Sequence, residues 1–267
     1  MDLLEADPSS PIYYTEDPHP PGFHAFASVA ASNDKGSITP CVILDSSPNG
    51  EETEFIAESS TLLRRFQPQL YPPAIKDSII AFEDLIHEKL GPSLRLFMYH
   101  TMLEPKHQNA VIRLMTQDTT RIETMLFHMM FGVGIAPAMR KSMRINAENA
   151  KIAETAIKEV FAMVSDRLSH GGEYLMDTAD TSFGFTGADL TFAALASPLT
   201  CPPERKEFNM PDEEISPELL ALKKELADTP AFRYVNTIYN QHRLANSDHG
   251  VIRIRGVNRN AYPPVFR

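Results

Sequence analysis

The chain has 267 residues, of which 43% are hydrophobic and 22% charged, and its formal net charge at pH 7 is −10. This composition fits a globular protein of one large or two small domains with a real core. The negative charge argues against a phosphate-backbone partner, so we expect no nucleic acid to bind. Two distant cysteines, Cys41 and Cys201, fit a reducing compartment, and the acidic start MDLLEADPSS has no signal-peptide pattern. We therefore expect a cytoplasmic protein.

The first 71 residues predict a small α/β domain. PIYYTED (11–17) is typical of a short strand, TPCVILD (39–45) of a buried strand, and TEFIAE (53–58) of a returning strand that completes a hairpin. SSTLLRRF (59–66) predicts a short helix with a serine cap. The prolines of QPQLYPP (67–73) predict a linker, which places the domain boundary near Pro72.

Residues 72–250 predict an all-helical domain about twice as large as the first. Gly91-Pro92 is expected to end its first helix, and Gly171-Gly172 is expected to end an amphipathic helix whose apolar face begins at Ile152. Helical periodicity predicts separate helices over 75–90, 93–103, 106–131, 152–168, 216–226 and 231–243. The last residues, 251–267, predict a basic, irregular tail.

The most apolar long stretch, 125–139, is interrupted by His128, by two glycines and by Pro137. With these breaks it is too short to span a bilayer, so no membrane partner is expected. Met125, Met129, Met130, Met139 and Met143 suit a plastic, promiscuous apolar wall; the alternative, which we favour, is ordinary packing in a core or at a dimer interface. The nine histidines show no zinc-binding spacing, so no metal is expected.

The stretch FGFTGADLTFAALASPL (183–199) predicts a buried helix. With Thr186 as the N-cap, Asp189 is the third helical residue, and the two side chains can form a capping box. The residues that follow are apolar on nearly all sides, which is typical of a helix in the middle of a domain. Since such a helix meets no water at its first turn, the pair has a structural role and carries no chemistry.

The approach to this helix, HGGEYLMDTADTSFGFTGADLTFAAL (170–195), resembles the helical C-terminal domain of the glutathione transferases. DTPAFRYVNTIYNQHR (228–243) is similar to the last helices of that family, and the resemblance covers roughly residues 13–243. It implies a thioredoxin-like α/β N-terminal domain followed by a larger all-α helical bundle. It also implies a homodimer and a glutathione site in the first domain.

The same resemblance implies that Thr39 and Pro40 bind glutathione. In the family a cis-proline directs the backbone of the preceding residue towards the cysteinyl part of the tripeptide. Glu58 and Ser59 resemble the Glu-Ser motif at a helix N-terminus that receives the γ-glutamyl end. The alternatives are an ordinary trans proline at a strand start and an ordinary helix cap. Glutathione is therefore the expected co-substrate.

The sequence departs from the family at its start, because only 39 residues precede Pro40. The first strand and helix of the thioredoxin-like domain are expected to be missing or divergent. The turn between them carries the residue that activates the glutathione sulfur, so no catalytic residue is assigned. Ser9, Ser10 and Tyr14 are candidate replacements.

Arg95 and Tyr99 lie on an early helix of the second domain, and in the family such helices line the cleft opposite the glutathione sulfur. They are candidates for contacting the electrophile, or else they are solvated or interface side chains. Two functions follow. The first is an enzyme that conjugates the glutathione thiolate to a small apolar electrophile. The second is a glutathione transferase-like module without catalysis, acting in interaction or ligand binding; the absent first strand favours it, whereas the Thr-Pro and Glu-Ser motifs favour the enzyme.

Overall fold

The chain is mostly helical, as the sequence predicts for its larger part. A computed structural model of the chain describes residues 12–15, 18–24, 29, 40–45, 53–170, 172–243 and 251–254. The chain divides into two compact units, one of Met1–Pro68, Met115–Phe131 and Ala245–Arg267, the other of Gln69–Leu114 and Gly132–Leu244. The junction between Pro68 and Gln69 lies inside the predicted linker, 67–73. Residues 115–131 and the tail, however, group with the N-terminal residues.

The strands described in the first unit form two separate two-stranded sheets. Strands β2 (Cys41–Asp45) and β3 (Thr53–Ala57) pair antiparallel, as the predicted hairpin requires. Strand β1 (Ile12–Thr15) pairs in parallel with β4 (Val251–Ile254), which comes from the tail. The prediction of an irregular tail is therefore wrong for the residues of β4. Four residues are a weak signal by themselves, and their strand partner lies at the other end of the chain.

The α-helices that the structure describes are numbered here in chain order. They are α1 (Ser59–Phe66), α2 (Lys76–Met102), α3 (Gln108–Met115), α4 (Arg121–Met130), α5 (Ala136–Ser142), α6 (Ala147–His170), α7 (Gly187–Thr200), α8 (Pro217–Leu226) and α9 (Pro230–His242). A π-helical turn, Phe131–Ile135, connects α4 to α5.

Helix α2 continues through Gly91-Pro92, so the prediction that this pair ends a helix is wrong. A proline hinders a helical conformation of the preceding residue partly by a clash with its Cβ atom, which glycine lacks. The missing Cβ also brings α7 close, because a Cβ atom on Gly91 would lie 3.7 Å from the Leu195 side chain. Packing along both halves of α2 then outweighs the one lost hydrogen bond.

The single helix predicted over 106–131 is two helices, because the chain turns between α3 and α4. Asp118 adopts a positive φ of 60° in this turn. Thr120 then begins α4 with a capping box, in which its hydroxyl accepts from the Glu123 N–H and the Glu123 carboxylate accepts from the Thr120 N–H. The Thr-x-x-Glu spacing is a helix-start signal that the apolar periodicity concealed.

The apolar stretch predicted to be broken is a continuous helical run, Arg121–Ser142. By length and composition alone, this run is long and apolar enough to cross a membrane. Only 17% of its most apolar 18-residue segment is buried. The π-helical turn accommodates the two glycines, and Pro137 falls in the first turn of α5, where a proline is tolerated. The predicted breaks are therefore wrong.

The core of the second unit lies between α2, α6, α7 and α9. Phe161 and Phe192 meet there edge to face, with ring centroids 5.7 Å apart. Ile152 is 61% exposed, so its assignment to the buried face of α6 is wrong; Ala150 and Ala153 take that face. Buried apolar side chains of this core include Ile79, Phe82, Ile86, Leu90, Ile157, Val160, Phe161, Val164, Phe192, Ala193, Ala196, Val235 and Ile238.

Candidate functional site

The candidate glutathione site lies where β3 leads into α1. Glu58 is the N-cap residue of α1, is exposed, and makes no hydrogen bond from its side chain to the helix. Ser59 is the first helical residue and is also exposed, so the predicted serine cap is wrong. The N–H groups of the first turn receive no cap from Glu58. They are therefore open to an external acceptor such as a carboxylate.

The backbone of Glu58 is strained. Its φ of 73° and ψ of 133° lie in a region that residues other than glycine rarely adopt. A conformation of this kind costs on the order of 1–3 kcal/mol and is found most often at ligand sites and switch regions. The chain therefore carries a glutamate at position 58 although its backbone conformation costs free energy that a glycine there would not cost.

Pro40 lies at the same end of the hairpin as Glu58. The Glu58 N–H donates to the Pro40 carbonyl oxygen at 3.1 Å, next to the Cys41–Ala57 pair of the β2–β3 ladder. Pro40 is itself exposed. The structure therefore brings three of the four predicted glutathione-binding residues together. The fourth, Thr39, lies outside the described residues, and the isomer of the bond before Pro40 stays a prediction.

No residue is assigned to activation of the glutathione sulfur. Ser9 and Ser10 lie outside the described residues. Tyr14 lies in β1, where it pairs with Arg253 of β4. Its candidacy as a replacement for the catalytic residue stays a prediction.

Arg95 and Tyr99 lie one turn apart on α2, with Arg95 exposed and Tyr99 half-buried. Burial raises the pKa of the Tyr99 hydroxyl, and the positive charge of Arg95 opposes this shift only in part. The Tyr99 hydroxyl therefore stays protonated at neutral pH and can donate a hydrogen bond. Contact of either residue with an electrophile stays a prediction.

The predicted capping box is present at the start of α7. The Thr186 N–H and the Thr186 hydroxyl both donate to Asp189 Oδ2, each at 2.7 Å. The other oxygen, Oδ1, accepts from the Leu175 N–H at 2.8 Å and from the Tyr234 hydroxyl at 2.5 Å. Thr186 and Asp189 are fully buried. The carboxylate thus joins the start of α7 to the preceding loop and to α9, which is a structural role.

A second buried carboxylate, Asp177, organises the loop before α7, although no sequence pattern indicates it. Gly172 permits this arrangement, because a Cβ atom there would lie 2.6 Å from Asp177 Oδ2. The donors to the Asp177 carboxylate are the N–H groups of Tyr174, Phe183 and Gly184 and the Ser182 hydroxyl.

A third buried carboxylate lies inside the second unit. Glu83 on α2 is fully buried, and its Oε1 accepts from the Tyr71 hydroxyl at 2.7 Å and from the Thr191 hydroxyl at 3.0 Å. The available sequence signal was an acid on the apolar stripe of α2, between Ile79 and Ile86. A buried acid holds its own element to the elements of its hydroxyl donors, so Glu83 joins α2 to α7 through Thr191 and to the residues before α2 through Tyr71.

Three rings pack together at the end of α9. Phe185 stacks on His242 with centroids 3.9 Å apart, and the Tyr174 hydroxyl lies 3.3 Å from His242 Nε2. Burial lowers the pKa of His242, although the charges of Asp189 and Glu173 oppose this shift. His242 is therefore neutral at pH 7, and the cluster supports the packing of α9.

A small cavity of about 40 Å³ in the second unit is lined in part by Cys201, Arg205 and Phe208. Its volume suits about one water molecule, not a substrate. Burial raises the pKa of the Cys201 thiol, with the charges of Lys223 and Arg205 opposing. Cys201 is therefore protonated at neutral pH and a weak nucleophile.

Among the described residues, no group of three or more His, Cys, Asp or Glu side chains is arranged to hold a metal ion. Comparison of the chain with family models, with curated proteins and with solved structures gives no match. The geometry at the start of α1 is thus the basis of the functional proposal.

Proposed function

We propose that the chain is a glutathione transferase-like protein that binds glutathione at the start of α1 and conjugates its thiolate to small apolar electrophiles. The observation that carries the proposal is the exposed start of α1, where Glu58 holds a strained backbone and supplies no cap. β2, β3 and α1 would be the strand-strand-helix part of a thioredoxin-like domain.

The γ-glutamyl end of glutathione carries an α-carboxylate and an α-ammonium group, and the start of α1 offers a partner for each. The carboxylate would accept from the first-turn N–H groups and from the Ser59 hydroxyl. The ammonium group would lie against the Glu58 carboxylate. The backbone of Thr39, next to Pro40, would pair with the cysteinyl residue as an added strand.

In the proposed reaction the glutathione thiol loses its proton to solvent, and the thiolate attacks an electrophilic carbon; the new carbon–sulfur bond replaces the bond from that carbon to a leaving group such as chloride, which departs as the anion. Arg95 and Tyr99 would contact the electrophile. We expect the protein to act in the cytoplasm as a homodimer, in line with the family that the sequence resembles.

A second candidate is a glutathione-binding module without catalysis. The pairing of the described strands favours it, because β1 pairs with β4 and does not join the β2–β3 sheet. In the family that the sequence resembles, the residue that activates the sulfur follows the first strand of one continuous sheet. A module of this kind would bind glutathione at the same residues.

Titration calorimetry with glutathione tests the property that both candidate functions require, which is glutathione binding at the start of α1. We expect binding by the full chain, and a loss of at least about tenfold in affinity for Glu58→Gln and for Ser59→Ala, since each removes a charge-assisted hydrogen bond. Glu54→Gln is the control, because Glu54 is an exposed carboxylate on the neighbouring strand β3. Equal affinities for all three variants would show that glutathione binds elsewhere on the chain. If the folded chain does not bind glutathione at all, both candidate functions are wrong.

Conjugation of glutathione to a chloronitrobenzene then separates the two candidates. Turnover that falls with Ser59→Ala supports the transferase. Binding without turnover supports the module.

A further inference from the structure

Helix α4 exposes an unusually apolar face. Ile122 is 68% exposed and Met129 is 69% exposed, so Met129 does not take the core position that was one of the two alternatives predicted for the methionines. The full set of large apolar side chains exposed on this face and just after it is Ile122, Met125, Leu126, Met129, Met130 and Val133. Contiguous apolar surface of this kind marks contact with a protein, a ligand or a membrane.

The opposite face of α4 is anchored, so the apolar face is directed outwards. Phe127 is fully buried, and its ring lies 5.5 Å from that of Phe131. Glu123 closes the capping box with Thr120 and also contacts His19 Nδ1 at 2.6 Å. These contacts fix the rotation of the helix about its axis.

The charge carried by the same helical run is positive, although the whole chain is negative. Between Arg121 and Ser142 the basic residues are Arg121, Arg140 and Lys141, and the one acid is Glu123. The Glu123 side chain is only 16% exposed and is engaged with His19. Since salt screens charges beyond about 8–10 Å, a surface that contacts this run meets its local positive charge, not the net charge of −10.

An open groove of about 340 Å³ lies along one edge of the apolar face. Arg121, Thr124 and His128 line it together with Met125 and Met129. A cationic group and a hydroxyl beside two flexible methionines are suited to a phosphate headgroup with apolar chains next to it.

We propose that α4 binds the surface of an anionic lipid bilayer. The helix lies in the plane of the interface, with its apolar side chains among the upper acyl chains and Arg121 at the lipid phosphates. This replaces the expectation from sequence that no membrane is involved. An orientation parallel to the membrane surface fits the structure better than a membrane-spanning one, because Glu123, Phe127 and the capping box hold one side of α4 to the protein.

A second copy of the chain fits this face less well. Both ends of the run Arg121–Ser142 are basic. Two such runs packed against each other would bring like charges together in either the parallel or the antiparallel orientation, which opposes association. An anionic bilayer meets positive charge at both ends of the run.

Co-sedimentation of the full chain with lipid vesicles tests the proposal. We expect binding to vesicles of phosphatidylcholine with roughly one-third phosphatidylserine, and binding at least about fivefold weaker to phosphatidylcholine alone. Raising the salt from about 0.1 M to about 0.5 M should weaken the first interaction by a similar factor.

Two substitutions locate the binding to α4. Met129→Glu should weaken binding about tenfold or more, because it places a charge among acyl chains, and Arg121→Gln should weaken binding to the anionic vesicles about fivefold. Ile152→Glu is the matched control, since Ile152 is 61% exposed but lies on α6; it should bind as the unchanged chain does. All of these side chains are exposed, and circular dichroism verifies that each variant is folded.

The proposal is overturned if the folded chain sediments with neither kind of vesicle, or if Ile152→Glu weakens binding as much as Met129→Glu does. It is also overturned if light scattering shows a dimer that Met129→Glu dissociates while the chain binds no vesicles, because the apolar face then belongs to a second copy. None of these vesicle-binding or light-scattering measurements includes glutathione, so their result is independent of the proposed function.

Discussion

At the scale of single residues, Asp189 shows how partners that are distant in sequence extend a local motif. The pair with Thr186 is visible in the sequence, but the donors Leu175 and Tyr234 are not. Burial raises the pKa of Asp189 above its usual range, and its four hydrogen bonds oppose that shift. The carboxylate is thus tolerated in the core because four donors are directed at it.

Replacement of this carboxylate should destabilise the protein strongly. Asp189→Asn turns one acceptor into a donor that faces other donors, so we expect a loss of at least about 3 kcal/mol in the free energy of unfolding. Tyr234→Phe removes one donor of the four and should cost about 1–2 kcal/mol. Urea unfolding measures both. A smaller loss for Asp189→Asn than for Tyr234→Phe would contradict this account.

The stability contributed by Asp177 should depend on pH. Burial alone would raise the pKa of Asp177, but the hydrogen bonds from Phe183, Tyr174, Ser182 and Gly184 outweigh it and hold the pKa below the ordinary value of 3.8. A depressed pKa in the folded state means that this stabilisation is present above pH 3.8 and is lost as the pH falls through the folded pKa.

Asp177→Asn should therefore be less stable than the unchanged chain by an amount that is constant above about pH 5 and shrinks at lower pH. Urea unfolding across the pH range measures this difference. Asp180→Asn is the control, because Asp180 is exposed on the same loop and should change stability by less than about 0.5 kcal/mol. A difference that is independent of pH would exclude the carboxylate as its source.

At the scale of elements, the contact between α2 and α7 depends on a glycine. A Cβ atom on Gly187 would lie 2.8 Å from the Tyr71 ring and hydroxyl and 3.0 Å from Glu83 Oε1. The first residue of α7 must therefore be small for the Glu83 carboxylate to keep its two hydroxyl donors.

Gly187→Ala should displace Tyr71 and lower the free energy of unfolding by about 1–3 kcal/mol. Gly134→Ala is the matched control, since a Cβ atom there meets nothing within 4 Å, and it should leave stability unchanged or raise it slightly. Thermal unfolding of both variants measures the difference. Equal melting temperatures would show that the close contact at Gly187 is easily relieved.

Helix limits show where sequence patterns succeed and where they fail. The predicted limits of α8 and α9 and the predicted C-terminal end of α6 agree closely with the structure, because the N-cap residues Ser216 and Thr229 begin α8 and α9 and the pair Gly171-Gly172 follows α6. The start of α6 lies five residues before the predicted one. Gly91-Pro92 does not end α2, since packing of α2 against α6 and α7 outweighs a local helix breaker. The start of α4 cannot be located from apolar periodicity, which runs through 106–131, whereas the Thr120–Glu123 box marks it.

At the scale of the whole molecule, the two ends of the chain meet in one sheet. Tyr13 of β1 pairs with Ile252 of β4. Ile252→Pro removes a backbone donor from this ladder and should speed hydrogen exchange of the β1 amides at least about tenfold, as measured by mass spectrometry. The amides of β2 and β3 serve as the internal control. Unchanged exchange in β1 would show that the pairing does not persist in solution.

Local sequence patterns are sufficient to predict the helical character of the larger part of the chain, the β2–β3 hairpin and the capping box at Thr186, because each depends on neighbours a few residues apart. They also indicate Pro40, Glu58 and Ser59 as a group, which the hairpin brings together. The continuity of α2, the pairing of β1 with β4 and the exposure of the apolar face of α4 cannot be predicted from such patterns. Those features depend on contacts between residues far apart in the chain, and the free energy of packing them outweighs local preference.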